Sequence, residues 1–514
     1  MTASLAVALV CAATLALGAL GLRLSRTTSD FYVASRTVSP RWNASAIGGE
    51  YISGASFLGV AGLIFAVGND MLWYSIGYTA GYVVLLVLVA APLRRSGAYT
   101  LPDFAEIRLR SGLVRRTASV LVVGIGWLYL LPQFLGAGLA LQTAAGAPRW
   151  LGTAVVVLVV VANVAAGGMR SVTIVQAFQY WFKLTAIGLP VILLLLVWHG
   201  DGSPSPAAVA GPEWSTPLSG SDHPLYRTYS LLLALLFGTM GLPHVLVRLY
   251  TNPDGRAARR TVFAVIGLLG AFYLFPPIYG ALGRIYAGDL LAGGNTDAMM
   301  LLLPQRMLDQ PWADLVSALL TAGAFAAFLS TSSGLTISVA GVLSQDLLRG
   351  RWRASVSGFR VGAGLAVAVP AALSLLGLRT GLADTVGLAF ALAASTFCPL
   401  LVLGIWWRGL TRAGALAGLI VGGTLASTAV LLTVSATVSS GWPAALLRQP
   451  AAWTVPVAFG VMVLVSLCTP RPAGVGPIMV RLHAPEILDL DRGETRLRED
   501  VPPLRHAEPA AKDV

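Results

Sequence analysis

Charge is scarce in this sequence. Asp, Glu, Lys and Arg supply only 11% of its 514 residues, 56% are hydrophobic, and the mean hydropathy is +0.75. That balance excludes an ordinary soluble globular domain. Cysteine is nearly absent too. Cys11, Cys398 and Cys468 stand apart, with no CxxC spacing and no histidine cluster beside them, which leaves neither a disulfide framework nor a cysteine-based metal centre. There is no HExxH, no GxSxG and no cluster of acids at a membrane face, so the marks of a membrane-embedded enzyme are missing. The alternation of a β-barrel is missing as well.

Long apolar runs are what the chain has instead. A hydrocarbon core about 30 Å thick takes roughly 20 residues of helix, and thirteen stretches of suitable length follow one another. They lie near 3–22, 45–67, 71–91, 118–142, 150–167, 172–198, 228–248, 261–285, 312–345, 356–377, 384–407, 413–436 and 452–469. The expected fold is an all-α polytopic membrane protein. The first run has no basic residues before it and Arg23 and Arg26 after it, which favours a retained helix over a signal peptide.

The net charge of +12 would suggest nucleic acid in a soluble chain, but here the arginines sit in short loops between apolar runs. With the N-terminus placed outside, twenty arginines fall in inside loops and six in outside loops. A bilayer, not nucleic acid, is the expected partner, and the plasma membrane is the expected site. The C-terminus then falls in the cytoplasm, with residues 471–514 expected to be a disordered tail. The loop 199–227, rich in Pro, Ser and Gly, reads as an outside surface connection without a site.

Polar residues inside the spans are the informative exceptions. Residues 48–59 read GGEYISGASFLG, placing a glutamate, two serines and four glycines in mid-span. Glycine makes a helix break cheap, and freed backbone groups at that depth must face protein or a polar cavity. Small residues could instead serve close helix packing alone. Glu50 favours a functional reading, because an acid at the midplane costs at least about 2.5 kcal/mol. A second interruption occurs at Gly238, Gly241 and Pro243, about five helices later. Paired interruptions in successive halves point to a transport site between inverted repeats. A third feature is the hydroxyl run Ser330, Thr331, Ser332 and Ser333; adjacent hydroxyls could flank a cation, for which hard oxygen ligands suit Na+.

Five stretches carry a family resemblance: DFYVASR at 30–36, GEYISGASFLGVAG at 49–62, GLPHVLVRLYT at 241–251, FLSTSSGLTISVAGVLSQDLL at 328–348 and ASTFCPLLVLGIWWRGLTRAGALAG at 394–418. They resemble the sodium:solute symporter family and, within it, the acetate and short-chain monocarboxylate permeases. The resemblance implies a LeuT-type core of five plus five inverted-repeat helices with one helix before and two after. Residues 45–198 would form the first repeat and 228–436 the second, with 1–44 holding the first helix and a cytoplasmic loop and 437–470 the last helix. It implies Na+ as coupling ion, at Gly49, Ile52, Ala327, Ser330 and Thr331. A small carboxylate would lie beside it, contacted by Tyr51, Ser53, Gly54, Phe57, Gln133, Thr239, Ser395 and Thr396.

Two residues depart from that pattern. The acetate permeases that this chain resembles carry aspartate at the place of Glu50. Lys183, about 11 residues into its helix and so about 16 Å deep, stands near the midplane. It could pair with Glu50, hold the substrate carboxylate, snorkel to the interface, or occupy the cation site and make the coupling ion a proton. Glu50 and Lys183 are therefore the candidate coupling residues. Arg360 is expected to snorkel, and His244 and Arg248 to serve a gate or a structural contact. The reading is a Na+-coupled symporter for a small carboxylate. A proton-coupled or different-solute symporter for proline or a sugar is the alternative, and a transporter-like sensor a weaker one.

Overall fold

The computed structural model describes residues 2–22, 28–219, 222–294, 296–348, 355–376, 381–435, 437–438, 440–470 and 474–486. Arg23, Arg26, Arg349, Arg351, Arg353 and Arg379 of the loop count, and residues 487–514 of the tail, lie outside these residues. All regular structure among the described residues is helical.

We number the spans α1 to α13. They are α1 (Thr2–Leu22), α2 in two halves (Pro40–Tyr51 and Ala55–Val67), α3 (Leu72–Leu88) and α4 (Gly112–Ala145). One run, Arg149–Gly200, follows. Its 52 residues would extend about 78 Å, far more than the hydrocarbon core, and it breaks at Gly168, whose φ of 56° only glycine adopts cheaply. It therefore counts as two spans, α5 (149–167) and α6 (169–200). Then come α7 in two halves (Pro224–Thr239 and Pro243–Leu249), α8 (Gly255–Tyr286), α9 (Trp312–Val342), α10 (Val356–Leu375), α11 (Leu382–Trp406), α12 (Arg412–Val434) and α13 (Ala451–Leu467). This matches the thirteen runs expected.

Both interruptions are real. The halves of α2 meet at 67°, with Ile52 at ψ 87° ending the first half. In α7, Leu242 turns extended and Pro243 opens the second half, where its missing N–H costs nothing.

Glycine also brings backbones together. A Cβ on Gly49 would stand 2.1 Å from the Gln176 carbonyl oxygen of α6, and one on Gly54 1.9 Å from the Phe328 ring of α9. These glycines serve close packing; Gly49 and Gly54 are themselves helical and flank the break, which falls at Ile52.

At one end of the bundle, Arg115 of α4 meets Asp103 at 2.7 Å, Glu106, and Asp346 just beyond α9 at 2.7 Å. Burial pushes the Asp103 carboxyl up, opposed by the Arg115 guanidinium. Arg108 donates to Gly404 O at 2.7 Å and Trp407 O at 3.0 Å, satisfying the last carbonyls of α11. Arg360 donates to Ala165 O at 3.0 Å and stays exposed, consistent with a snorkelling position.

Two expectations need correcting. The tail is not wholly irregular: Val475–His483 is helical, because Met479 and Leu482, one turn apart, bury against the helix Ala90–Arg95, and Glu486 pairs with Arg95 at 3.1 Å. The loop 199–227 is more than a surface connection. Trp214 is buried over Gly68, Asn69 donates to Ser215 O at 2.8 Å, and Leu218 N–H donates to Asp70 at 2.5 Å.

Replacing Gly49 by Ala should cost about 1–3 kcal/mol through overpacking. Gly124→Ala, with nothing within 4 Å of the added Cβ, should be neutral or slightly stabilising. Melting of the purified variants in detergent separates the two.

Candidate functional site at the two helix breaks

The break in α2 frees backbone groups at a depth where water does not reach, and each must find a partner. Lys183 of α6 supplies three of the contacts. It is fully buried, and its Nζ donates to Gly49 O at 2.5 Å, Ile52 O at 2.8 Å and Ser330 Oγ at 2.9 Å. Ser330 Oγ in turn reaches Gly49 O at 2.7 Å and Ala327 O at 3.1 Å. Thr331 Oγ1 donates to Glu50 O at 2.6 Å. On the far side of the break, Gly54 N–H donates to Gln133 Oε1 at 3.0 Å, and Ser53 Oγ accepts from Ser56 N–H at 3.3 Å.

The expected cation ligands are therefore together, but arranged around the chain's own ammonium. Gly49, Ile52 and Ser330 touch it directly, Ala327 joins through Ser330, and the Thr331 hydroxyl is committed to Glu50 O. Of the readings open for Lys183, snorkelling and pairing with Glu50 are not what the geometry shows.

Glu50 has a different counter-ion. The Arg248 Nε donates to its Oε2 at 2.6 Å, with the two side chains 1% and 2% exposed. Arg248 also donates to Thr173 Oγ1 at 2.7 Å and to Gln176 Oε1, and its carbonyl accepts from Asn43 Nδ2 at 3.0 Å. The pair bolts the first half of α2 to the second half of α7. Gln176 serves both clusters, because its Nε2 donates to Ser330 O at 2.7 Å. Thr173, Gln176 and Lys183 lie on one face of α6, at i, i+3 and i+10, a spacing readable in sequence once Lys183 had been singled out. The Glu50 partner could have been sought among the few charges inside spans.

The expected substrate contacts divide. Tyr51 OH lies 2.8 Å from Thr239 Oγ1, joining the two breaks, and Ser53, Gly54 and Gln133 are beside them. Phe57 turns away, packing on Gly323 and Phe272. Ser395 bonds Thr454 of α13 at 2.7 Å, and Thr396 bonds back to Leu392 O at 2.7 Å. Neither is brought to the breaks, because one hydroxyl faces a neighbouring helix and the other the carbonyl a turn earlier in its own. Aromatic residues that sequence reading missed fill the space. Tyr78, Tyr82, Tyr129 and Phe390 surround Tyr51, with ring centroids 4.8 Å apart for Tyr51 and Tyr82 and 5.2 Å for Tyr78 and Phe390. Among the described residues, the hydroxyls of Tyr78 and Tyr82 and both ring nitrogens of His244, which meets Tyr129 edge-on at 5.2 Å, have no hydrogen-bond partner. Toward the end bearing loop 199–227, a cavity of about 140 Å³ is lined by Asp70, Tyr74, Arg227 and Asp384 among others.

An all-helical bundle with two broken spans crossing at a buried polar centre defines a LeuT-fold membrane transporter. The chain belongs to the sodium:solute symporter family, whose model matches residues 31–422. It is 30% identical over 485 residues to an uncharacterized symporter, YwcA, of Bacillus subtilis (strain 168), covering 89% of this chain and 93% of that one. Among solved structures it is similar to a substrate-bound, outward-open Na+-coupled sialic acid symporter, with a TM-score of 0.66 at 14% identity over 92% of this chain and 98% of the other. It is also similar to MhsT in complex with L-phenylalanine, with a TM-score of 0.53 at 16% identity over 84% and 98%. The family is one of symporters, not enzymes.

Arg248→Ala should be strongly destabilising, by about 3–5 kcal/mol, because it strands a buried carboxylate. The double change Glu50→Gln with Arg248→Gln should recover part of that loss. A double-mutant cycle on thermal melting measures the coupling.

Proposed function

We propose that this protein is a secondary active symporter that couples the entry of a cation to uptake of a small carboxylate, acetate-like in size, by alternating access around the breaks in α2 and α7. The observation that carries this reading is the convergence of both breaks on one buried polar centre, with an oxygen ring suited to a monovalent cation beside Tyr51, Ser53, Gln133 and Thr239. A carboxylate suits the balance of that centre. Lys183 and Arg248 bring two cationic side chains against the single acid Glu50, and unpartnered phenol hydroxyls can donate.

Family membership supports Na+ as the coupling cation. The Lys183 ammonium on the ring favours a second reading, in which a proton takes sodium's role. Energetics bound either case. A carboxylate moving with one cation carries no net charge, so a tenfold ion gradient, about 1.4 kcal/mol, supports only tenfold accumulation. Stronger uptake needs a second cation per cycle.

The arginine distribution supports a plasma-membrane orientation with the N-terminus outside and the last described helix in the cytoplasm. Cys468, exposed at the end of α13, should then react with an impermeant maleimide in inside-out vesicles and not in intact cells, while the buried Cys11 and Cys398 stay unlabelled in both.

Uptake of labelled acetate into proteoliposomes tests the function. Uptake driven by an inward Na+ gradient at fixed pH, and lost in Ser330→Ala with Thr331→Ala, is the outcome expected of the sodium reading. Uptake driven by a pH gradient without Na+ is that of the second. No acetate uptake under either gradient refutes the carboxylate assignment.

A further inference from the structure

We propose that Lys183 is the resident cation of the oxygen ring, so that this member of the family binds no Na+ there, and that removing the ammonium would turn the ring into a Na+ site. The inference rests on reading the ring as the family's cation site, and it separates the two coupling ions left open above.

Three observations carry it. First, the fit is complete: an ammonium has three N–H donors and no acceptor, and here all three meet oxygens at 2.5, 2.8 and 2.9 Å with the side chain fully buried. No donor is left over to hold a substrate carboxylate. Second, the partners are backbone carbonyls and a hydroxyl, neutral hard oxygens of the kind that suits Na+, and not a carboxylate that would call for lysine as a salt-bridge partner. The one acid nearby, Glu50, is already paired with Arg248 at 2.6 Å.

Third, the residue type is unusual for this chain. Lys183 is one of two lysines, the other being Lys512, against 33 arginines. Where the chain needs only positive charge it uses arginine, and at this one buried position it uses the compact point charge that can stand in for a monovalent ion.

Joint occupancy by Lys183 and Na+ is disfavoured by repulsion. Two unit charges about 4 Å apart in a protein environment weaken binding about a thousandfold. Vacating the ammonium removes that repulsion and takes three N–H donors away from the same oxygens, leaving only the Ser330 hydroxyl proton among them.

The test is Na+ binding by the purified full chain in detergent, read in two ways: radiolabelled Na+ retention, and melting with NaCl replacing choline chloride at constant ionic strength. The wild type should retain no Na+ in a manner sensitive to Ser330→Ala, and its melting should not distinguish the two salts. Lys183→Ala should melt lower in choline and recover in Na+, as expected when a ligand binds only the folded state. Adding Ser330→Ala should abolish that recovery. Lys183→Met, of similar length and without charge, should fill the space and gain no Na+ response.

Ser330-dependent Na+ retention by the wild type would overturn the inference. So would a folded Lys183→Ala protein indifferent to Na+. If Lys183→Ala gives no folded protein in either salt, Lys183→Ser, whose short polar side chain stops well before the ring and leaves the Nζ position open to water or Na+, takes its place with the same two outcomes, and the wild-type measurement stands by itself. None of these measurements uses acetate, so failure of the substrate assignment would leave them intact.

Discussion

A helix that breaks inside a membrane exposes carbonyls to a medium that offers them nothing. In this protein the resolution of that problem is an ammonium on a neighbouring helix, and much of the centre is arranged so that it can reach. Lys183 must come from α6 at a depth that puts it level with the break, so α6 has to pass very close to the first half of α2. That approach is possible because Gly48 and Gly49 present no side chains, and a Cβ on either would collide with Tyr180 or the Gln176 backbone. Ser330 of α9 completes the ring, which fixes α9 against both. Three spans are thus held in register by one nitrogen atom.

The second charged cluster has a different character. The Glu50–Arg248 pair is enclosed, with the side chains of Thr173 and Gln176 taking the other guanidinium nitrogens. A buried pair of this kind adds little net stability over apolar residues, and its worth lies in specifying one arrangement of the elements it joins. Here those elements are the N-terminal half of α2 and the C-terminal half of α7, the two segments on the same side of the breaks.

The fold was largely legible in the sequence. Apolar run length and glycine placement marked thirteen spans and both interruptions, and five motifs in order along the chain marked the family. That Gly49, Ile52, Ala327 and Ser330 would gather at one point was also legible, from the family resemblance. What occupies that point was only one of several options for Lys183, because depth along a helix does not say which way a flexible four-carbon side chain turns. The Glu50 counter-ion was missed for a related reason: Arg248 is distant in sequence, and its seven-residue half-helix looks from sequence like a terminal turn at the interface. Ser395 and Thr396 went astray because a hydroxyl in an apolar helix finds its own carbonyl or the adjacent helix as readily as a ligand. The helical tail segment was obscured by its Pro- and Arg-rich surroundings, though the Met479 and Leu482 spacing carried the signal.

Gln176 has a consequence of its own. Its amide nitrogen holds the Ser330 carbonyl while its amide oxygen receives the Arg248 guanidinium, so one flat, rigid group spans both clusters. An amide cannot turn to improve one of these bonds without spoiling the other. The helix that carries the ring's hydroxyl and the bolt between α2 and α7 are thereby tied to one another across the width of a single carboxamide, with no intervening side chain.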